Sequence, residues 1–110
     1  MLGALALGDI GQLFPDTDAS FQGADSAELT REVRRLCLAK GYSVSNLDIT
    51  ILCEVPKIGP IRETMRQCIA DVLETVVEQI SVKATTTEQL GFIGRGEGIA
   101  VMASVLMRAH

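Results

Sequence analysis

Two segments carry apolar residues at helical spacing, and each predicts an amphipathic helix. The first follows Asp25, which has capping-box spacing to Glu28, and it ends at Gly41, a residue suited to closing a helix. The second runs through residues 61–76, after the proline-containing bend at residues 56–60. Charged and amide side chains occupy the opposite face of both segments, so each helix should pack on one side only.

Three further segments predict β-strands. Residues 47–55 and 80–84 alternate apolar and polar side chains, which is the pattern of a strand with one buried face. Residues 99–107 are almost continuously apolar, which suits a central strand or a buried helix. We favour a strand because Ile99, Val101 and Val105 are β-branched.

The amino-terminal segment contains few of these periodic signals. Residues 1–7 are apolar and resemble the last two turns of a helix that ends at Gly8. Residues 9–24 are rich in Gly, Pro, Asp and Ser and predict a long loop, a feature that is often functional in a small domain. The element order predicts one α+β domain over residues 1–110, a two-layer sandwich with helices on one face of the sheet.

Composition narrows the possible functions. The chain has 110 residues, a formal charge of −4 and 47% hydrophobic residues, as expected for a small globular domain. An acidic chain is a poor general nucleic-acid binder, and no run approaches the ~20 apolar residues of a membrane helix. Cys37, Cys53 and Cys68 match no zinc or disulfide pattern, so we expect buried free thiols in a reducing compartment. The single histidine, His110, is terminal, which argues against a Cys/His nucleophile.

Four polar segments could bind a phosphorylated ligand. Residues 14–18 carry paired carboxylates that could share a divalent cation, although from the sequence alone we favour an Asx turn. Residues 83–88 offer Lys83, three threonine hydroxyls and Glu88 at a strand end, or else an ordinary N-cap. Residues 91–98 combine four glycines with Arg95, or form a solvated connection. The bend at residues 56–60 carries a lysine at a strand end, or is a rigid turn.

The combination of these segments resembles one enzyme family. DIGQLFPDTDASFQGADS, PKIGP, the Met65-Arg66 pair and VKATTTEQLGFIGRGEGIA closely resemble the 2-C-methyl-D-erythritol 2,4-cyclodiphosphate synthases. The resemblance implies a ferredoxin-like sheet backed by helices, a homotrimer with sites between subunits, and a cytoplasmic bacterial enzyme of non-mevalonate isoprenoid synthesis. It implies a lyase that converts 4-diphosphocytidyl-2-C-methyl-D-erythritol 2-phosphate to the 2,4-cyclodiphosphate, with release of CMP.

The resemblance also implies roles for individual residues. Thr86 would stabilise the transition state, and Glu88 would bind magnesium or manganese together with the substrate phosphates. The erythritol and phosphate portion would contact Asp9, Ile10, Gly11, Phe14, Pro15, Asp16, Thr17 and Asp18. The cytidine pocket would comprise Cys53, Glu54, Val55, Pro56, Lys57, Ile58 and Gly59, largely through backbone groups. The diphosphate and the remaining contacts would fall to Thr85, Thr86, Thr87, Glu88, Phe92 and Arg95.

The sequence also departs from the family pattern. The family binds zinc through an Asp-x-His and a further histidine, and none of these occurs here, so we expect the zinc ligands upstream of Met1. Gly59 and Ile61 replace bulkier or histidine residues, which changes the expected base pocket. We therefore expect an amino-terminally incomplete domain, lacking the first strands and most of the first helix, with little turnover alone. Family members can also hold an isoprenoid diphosphate on the threefold axis. Alternatives are a non-catalytic cytidine-nucleotide-binding module and a structural trimerisation module.

Overall fold

The computed structural model describes all 110 residues and contains a three-stranded sheet with four α-helices. The helices are α1 (Ile10–Leu13), α2 (Ser26–Ala39), α3 (Arg62–Leu73) and α4 (Gly91–Gly94). The strands are β1 (Tyr42–Leu52), β2 (Ile80–Thr85) and β3 (Ala100–Ala109), in the spatial order β2-β1-β3. The predicted mixed α+β class, a sheet backed by helices, is confirmed. The chain divides into two compact units, Met1–Ser45 with Val105–His110, and Asn46–Ser104.

Helix α2 dominates the first unit and begins where the sequence predicts. The Asp25 carboxylate accepts a hydrogen bond of 3.0 Å from the Ala27 N–H, so Asp25 is the N-cap. Glu28 forms an ion pair with Arg31 instead of completing a capping box. The helix ends just before Gly41, whose φ of +88° is readily adopted only by glycine.

The amino-terminal prediction is wrong. Instead of two helical turns ending at Gly8, the chain forms a single 3₁₀ turn, Gly3–Leu5, which ends at the left-handed Ala6 (φ 56°). Short isolated helices are marginal in water, and here Leu2 is buried against α2 next to Val33 and Cys37. The predicted loop at residues 9–24 also contains regular structure, α1 and a 3₁₀ turn at Ala19–Phe21.

Strands β1 and β2 are parallel, and α3 is part of the connection between them. The register pairs Leu47 with Ile80 at one end and Leu52 with Thr85 at the other. Helix α3 packs against β2, where Ile80 and Val82 are buried. Strand β1 begins earlier and ends earlier than predicted, because it follows directly on α2 and gives way to the turn preceding Pro56.

Strand β3 confirms the prediction of a strand but not its predicted central position. It lies at an edge of the sheet, hydrogen-bonded to β1 alone. In the single chain Val101, Met102 and Leu106 are 59%, 61% and 58% exposed. A continuous apolar run is typical of a strand covered on both faces, and in this chain those side chains are open to solvent. No helix combines the length and apolar character that a bilayer crossing requires.

Arg66 anchors α3 to the segment that leads into β2, although its helical position predicted the outer face. Its Nε donates to the Ile80 carbonyl at 2.8 Å, and its Nη2 donates to the Val77 carbonyl at 2.9 Å. Glu63 accepts from the remaining Nη1 at 2.8 Å, and only 24% of the Arg66 side chain is exposed. The guanidinium therefore satisfies backbone carbonyls on a neighbouring element while its charge is paired.

We expect Arg66→Met to lower the free energy of unfolding by about 1–3 kcal/mol, because two carbonyls lose a charged donor. Urea unfolding followed by circular dichroism measures this change. Arg35→Met is the matched control, since Arg35 is 64% exposed and pairs only with Glu32 on the surface of α2. That control should cost less than about 1 kcal/mol. Equal losses in the two variants would contradict the anchoring role.

Candidate functional site

The parallel register brings two of the predicted binding segments to the same edge of the sheet. Leu52 and Thr85 are paired at the ends of β1 and β2, and the Cys53 N–H donates to the Thr85 carbonyl at 3.1 Å. The chain leaves the sheet beyond both residues and borders a small, open cavity of about 140 Å³. The residues lining it are Cys53, Glu54, Pro56, Lys57, Ile58, Ala84, Thr85 and Thr86.

Two buried side chains anchor residues 53–59, the segment that follows β1. Cys53 and Ile58 are 5% and 7% exposed, and the Cys53 thiol donates to the Pro56 carbonyl at 3.5 Å. The Val55–Pro56 peptide bond is cis. Val55 and Lys57 are exposed, so the Lys57 ammonium group is accessible to a ligand.

The threonine-rich segment after β2 forms a tight, polar turn. The Thr86 hydroxyl accepts a hydrogen bond of 3.2 Å from the Glu88 N–H, which is the local capping role that the sequence left open. Because a hydroxyl that accepts one bond still has its own proton to donate, this contact leaves Thr86 able to meet a phosphate oxygen. Thr85 and Glu88 are exposed at the same turn.

Lys83 is not part of this edge. It lies inside β2, and its ammonium group donates to the Asp48 carboxylate across the strands at 2.9 Å. The Lys83 hydrogen bond lowers the pKa of Asp48 below its usual range. Of the two lysines that the sequence offered for phosphate, only Lys57 reaches the cavity.

The glycine-rich segment begins with α4. Arg95 is paired with Glu97 at 2.8 Å, and both side chains are more than half exposed, at 59% and 56%. This is the solvated pair that the sequence left as an alternative, and it leaves the guanidinium at the surface. Phe92 is 54% exposed, and its ring lies against Gly98, where an added Cβ would meet it at 3.1 Å.

The remaining predicted contacts belong to the first unit. Asp9 caps α1, with its carboxylate accepting from the Gln12 N–H at 2.9 Å. Asp18 forms an Asx turn, accepting from the Ser20 N–H at 3.0 Å and from the Ser20 hydroxyl at 2.8 Å. The carboxylate is therefore engaged locally, as the Asx-turn alternative predicts, and the same bonds lower the pKa of Asp18. Phe14 packs edge-on against Phe21 with ring centroids 5.3 Å apart.

The residues of this chain do not fit the implied zinc ion, but they do fit the implied magnesium ion. No three His, Cys, Asp or Glu side chains come together in the chain, so its residues do not form a zinc site. Glu88 offers one exposed carboxylate, which suits magnesium, an ion commonly held by one or two carboxylates together with substrate phosphates.

The cysteines are free, and burial raises the pKa of the Cys37 thiol. Cys37 and Cys53 are buried as expected. Cys68 is exposed, contrary to the expectation, because its position on α3 faces away from the sheet-packed side that includes Ala70 and Leu73.

Sequence reasoning missed the role of the Glu54 side chain. The prediction used this residue for its backbone, whereas its carboxylate oxygen Oε1 accepts hydrogen bonds from the Thr87 N–H (3.2 Å) and the Gln89 N–H (3.1 Å). The alternation of residues 47–55 marked Glu54 only as a polar position within the predicted strand, whereas β1 ends at Leu52. The contact spans more than 30 residues of sequence, so no local pattern could have indicated it.

The chain is an α+β protein whose candidate ligand site lies at the edge of the sheet where the parallel strands β1 and β2 end. The chain belongs to the YgbB family, whose model matches residues 1–108. This finding confirms the family resemblance drawn from the motifs.

Curated relatives and solved structures agree with this placement. The 2-C-methyl-D-erythritol 2,4-cyclodiphosphate synthase of Acinetobacter baylyi is 61% identical over 107 residues, covering 97% of this chain and 66% of that protein. A synthase of the same name from Yersinia pseudotuberculosis is 60% identical, with the same coverage. The chain thus spans just under two thirds of the length of these relatives.

Two solved structures show the same fold. The CDP complex of IspF from Plasmodium falciparum superposes with a TM-score of 0.87 at 40% identity, covering 98% of this chain and 64% of that one. The bifunctional IspDF from Campylobacter jejuni gives a TM-score of 0.94 at 44% identity, covering 99% of this chain and 30% of that one.

Proposed function

We propose that this chain acts as a 2-C-methyl-D-erythritol 2,4-cyclodiphosphate synthase, a lyase that releases CMP from 4-diphosphocytidyl-2-C-methyl-D-erythritol 2-phosphate. The observation that carries the proposal is the shared edge of β1 and β2, where the base-binding and diphosphate-binding candidates line one cavity. The named activity of the relatives and the CDP bound to a structural neighbour support the same reading.

The proposed chemistry is an intramolecular phosphoryl transfer. An oxygen of the substrate's 2-phosphate attacks the β-phosphorus, and the bond from that phosphorus to the oxygen bridging to the α-phosphate breaks, so CMP leaves with the electron pair. Such a reaction needs positioning and charge stabilisation more than covalent help from the protein. A bound magnesium ion would neutralise charge on the diphosphate.

The residues of this chain would hold the substrate at its cytidine, diphosphate and erythritol portions. Backbone groups of residues 53–59 would bind the cytosine, and the Lys57 ammonium would face the nucleotide. The Thr86 hydroxyl would donate to the charge that develops at the β-phosphorus. The hydroxyls of Thr85 and Thr87 donate here to the Thr86 and Leu90 carbonyls, at 3.1 and 2.7 Å, so they would meet the diphosphate oxygens as donors only after exchanging those bonds. Phe92 and Arg95 would complete the contacts, while Asp9, Ile10, Gly11, and Phe14 through Asp18 would meet the erythritol portion.

The proposed assembly is a cytoplasmic homotrimer with sites between subunits. The exposed apolar side chains of β3 support association, because burying them against other copies would remove apolar surface from water. An isoprenoid diphosphate could then bind on the threefold axis, near Arg95. The zinc implied by the resemblance is assigned to no residue of this chain, since no three His, Cys, Asp or Glu side chains come together in it.

Calorimetric titration with CDP tests the diphosphate site and the role of Glu88. We expect magnesium to tighten CDP binding by about tenfold, because the ion would join Glu88 to the diphosphate. Glu88→Gln should abolish this gain, whereas Glu78→Gln, a change at an exposed carboxylate elsewhere in the second unit, should preserve it. A gain that survives Glu88→Gln would contradict the proposed metal ligand.

The reaction itself is tested by ³¹P NMR with the true substrate, zinc and magnesium. We expect CMP and the cyclic diphosphate in equal amounts, at a low rate because these residues form no zinc site. Rapid turnover would support the function and contradict the expectation about zinc. CDP binding without CMP release would support the nucleotide-binding module instead. A trimer with neither property would support the structural module.

A further inference from the structure

We propose that Glu54 is a positioning residue that fixes the turn at residues 86–89, so that Thr86 and Glu88 face the diphosphate. The proposal rests on the proposed function for the identity of the ligand. It assigns the Glu54 side chain a task that is separate from base recognition. The carboxylate acts through the turn and does not itself touch the reacting atoms.

The hydrogen bonds of Glu54 converge on one oxygen. Oε1 accepts from the Thr87 N–H at 3.2 Å and from the Gln89 N–H at 3.1 Å. The Thr87 hydroxyl lies 3.5 Å from the same oxygen, but it donates its single proton to the Leu90 carbonyl at 2.7 Å. Two backbone donors, two residues apart, therefore depend on one carboxylate.

The turn needs such a support because its backbone is strained. Glu88 and Gln89 have φ values of 53° and 66°, in the left-handed region that non-glycine residues rarely adopt. Two consecutive residues in this region persist only where surrounding contacts hold them. The contacts on either side are the Glu54 carboxylate, the Thr86 hydroxyl at the Glu88 N–H, and the Gly94 backbone that lies against Gln89.

The position of Glu54 connects the two halves of the candidate site. It directly follows Cys53, whose N–H is bonded to the end of β2, and it lines the cavity with Lys57 and Thr86. The side chain is half-buried, so its oxygen is partly withdrawn from competing water. A change at Glu54 should therefore reach the diphosphate end of the site while leaving the buried anchors of the base pocket, Cys53 and Ile58, in place.

The test compares Glu54→Ala with Glu54→Gln in the full chain. An amide oxygen can still accept both N–H bonds, whereas alanine offers no acceptor. In Glu54→Ala we expect the Thr87 and Gln89 amide protons to shift upfield and to exchange about tenfold faster, because each loses a charge-assisted bond. Glu54→Gln should restore most of the protection, and Glu78→Ala, at an exposed acidic residue, should leave both amides as they are.

Ligand titrations complete the test. We expect Glu54→Ala to lose most of the magnesium-dependent gain in CDP affinity, and to weaken the binding of CMP, which has no β-phosphate, by a smaller factor. Glu54→Gln should recover part of the gain. Unchanged amide signals in Glu54→Ala would overturn the positioning role, and so would altered amides with a normal magnesium gain. If the wild-type chain binds no CDP, the proposed function fails, and the amide signals alone still decide whether Glu54 holds the turn.

Discussion

Gly94→Ala is expected to disrupt the diphosphate end of the site and to destabilise the second unit. An ideal Cβ at Gly94 would lie 2.2 Å from the Gln89 carbonyl carbon and 2.7 Å from its Cα, so backbone atoms would have to move. Overpacking of this kind costs about 1–3 kcal/mol, occasionally more. Moving Gln89 would also break its N–H bond to Glu54, which holds the strained turn.

Thermal unfolding and CDP titration measure the two consequences. We expect the unfolding midpoint of Gly94→Ala to fall by about 4–8 °C per kcal/mol lost, and the affinity for CDP with magnesium to fall by about tenfold or more. Gly3→Ala is the matched control, because a Cβ at Gly3 meets nothing within 4 Å and its φ is not in the left-handed region. A Gly94→Ala protein with normal affinity would show that the turn tolerates displacement.

The importance of Gly94 shows where sequence reasoning reached its limit. The glycine-rich segment suggested close approach of backbone to an anion, whereas the closest approach at Gly94 is to the backbone of Gln89 within the same chain. Spacing identifies residues that can adopt a tight conformation. It does not identify the partner, because the partner is set by the way α4 folds back on the preceding turn.

The elements that could be predicted are those with local causes. Asp25 and Gly41 bound α2 because capping and left-handed φ preferences act within a few residues. The exposed position of β3 could not be predicted, since an apolar run gives the same signal at a sheet centre and at an open edge. The Glu54 contact was equally hidden, because the parallel register of two distant strands creates it.

The candidate site was found from the sequence mainly through the family resemblance. The separate polar segments each had an ordinary structural alternative, and the structure shows those alternatives at Asp18, Thr86 and Arg95. The structure adds the physical link between two segments, because Cys53 and Thr85 are hydrogen-bonded at the ends of adjacent parallel strands. A local structural role and a ligand contact are compatible in a hydroxyl such as that of Thr86, which can accept one bond and donate another.

Ile80→Ala is expected to give the largest loss of stability. Ile80 is 2% exposed at the start of β2, paired with Leu47 and among the most deeply buried large side chains. Truncating it removes apolar contacts and leaves a cavity that the packed surroundings close only partly, at a cost of about 2–5 kcal/mol. Because small domains have total stabilities of about 5–15 kcal/mol, this loss is a large share of the whole. Urea unfolding measures it.

Ile80→Ala also distinguishes an effect on core packing from an effect on ligand binding. Ile80 lies five residues before Thr85, about 17 Å along the strand, so the folded fraction should bind CDP within about twofold of the wild type. Val76→Ala is the matched control, since Val76 is 56% exposed and its truncation should cost less than about 0.5 kcal/mol. A weaker CDP affinity in folded Ile80→Ala would mean that packing at the start of β2 is transmitted to the turn at its end. If the CDP affinity of Ile80→Ala is unchanged while that of Gly94→Ala falls, the turn at residues 86–89 controls ligand binding, and the core at the start of β2 does not.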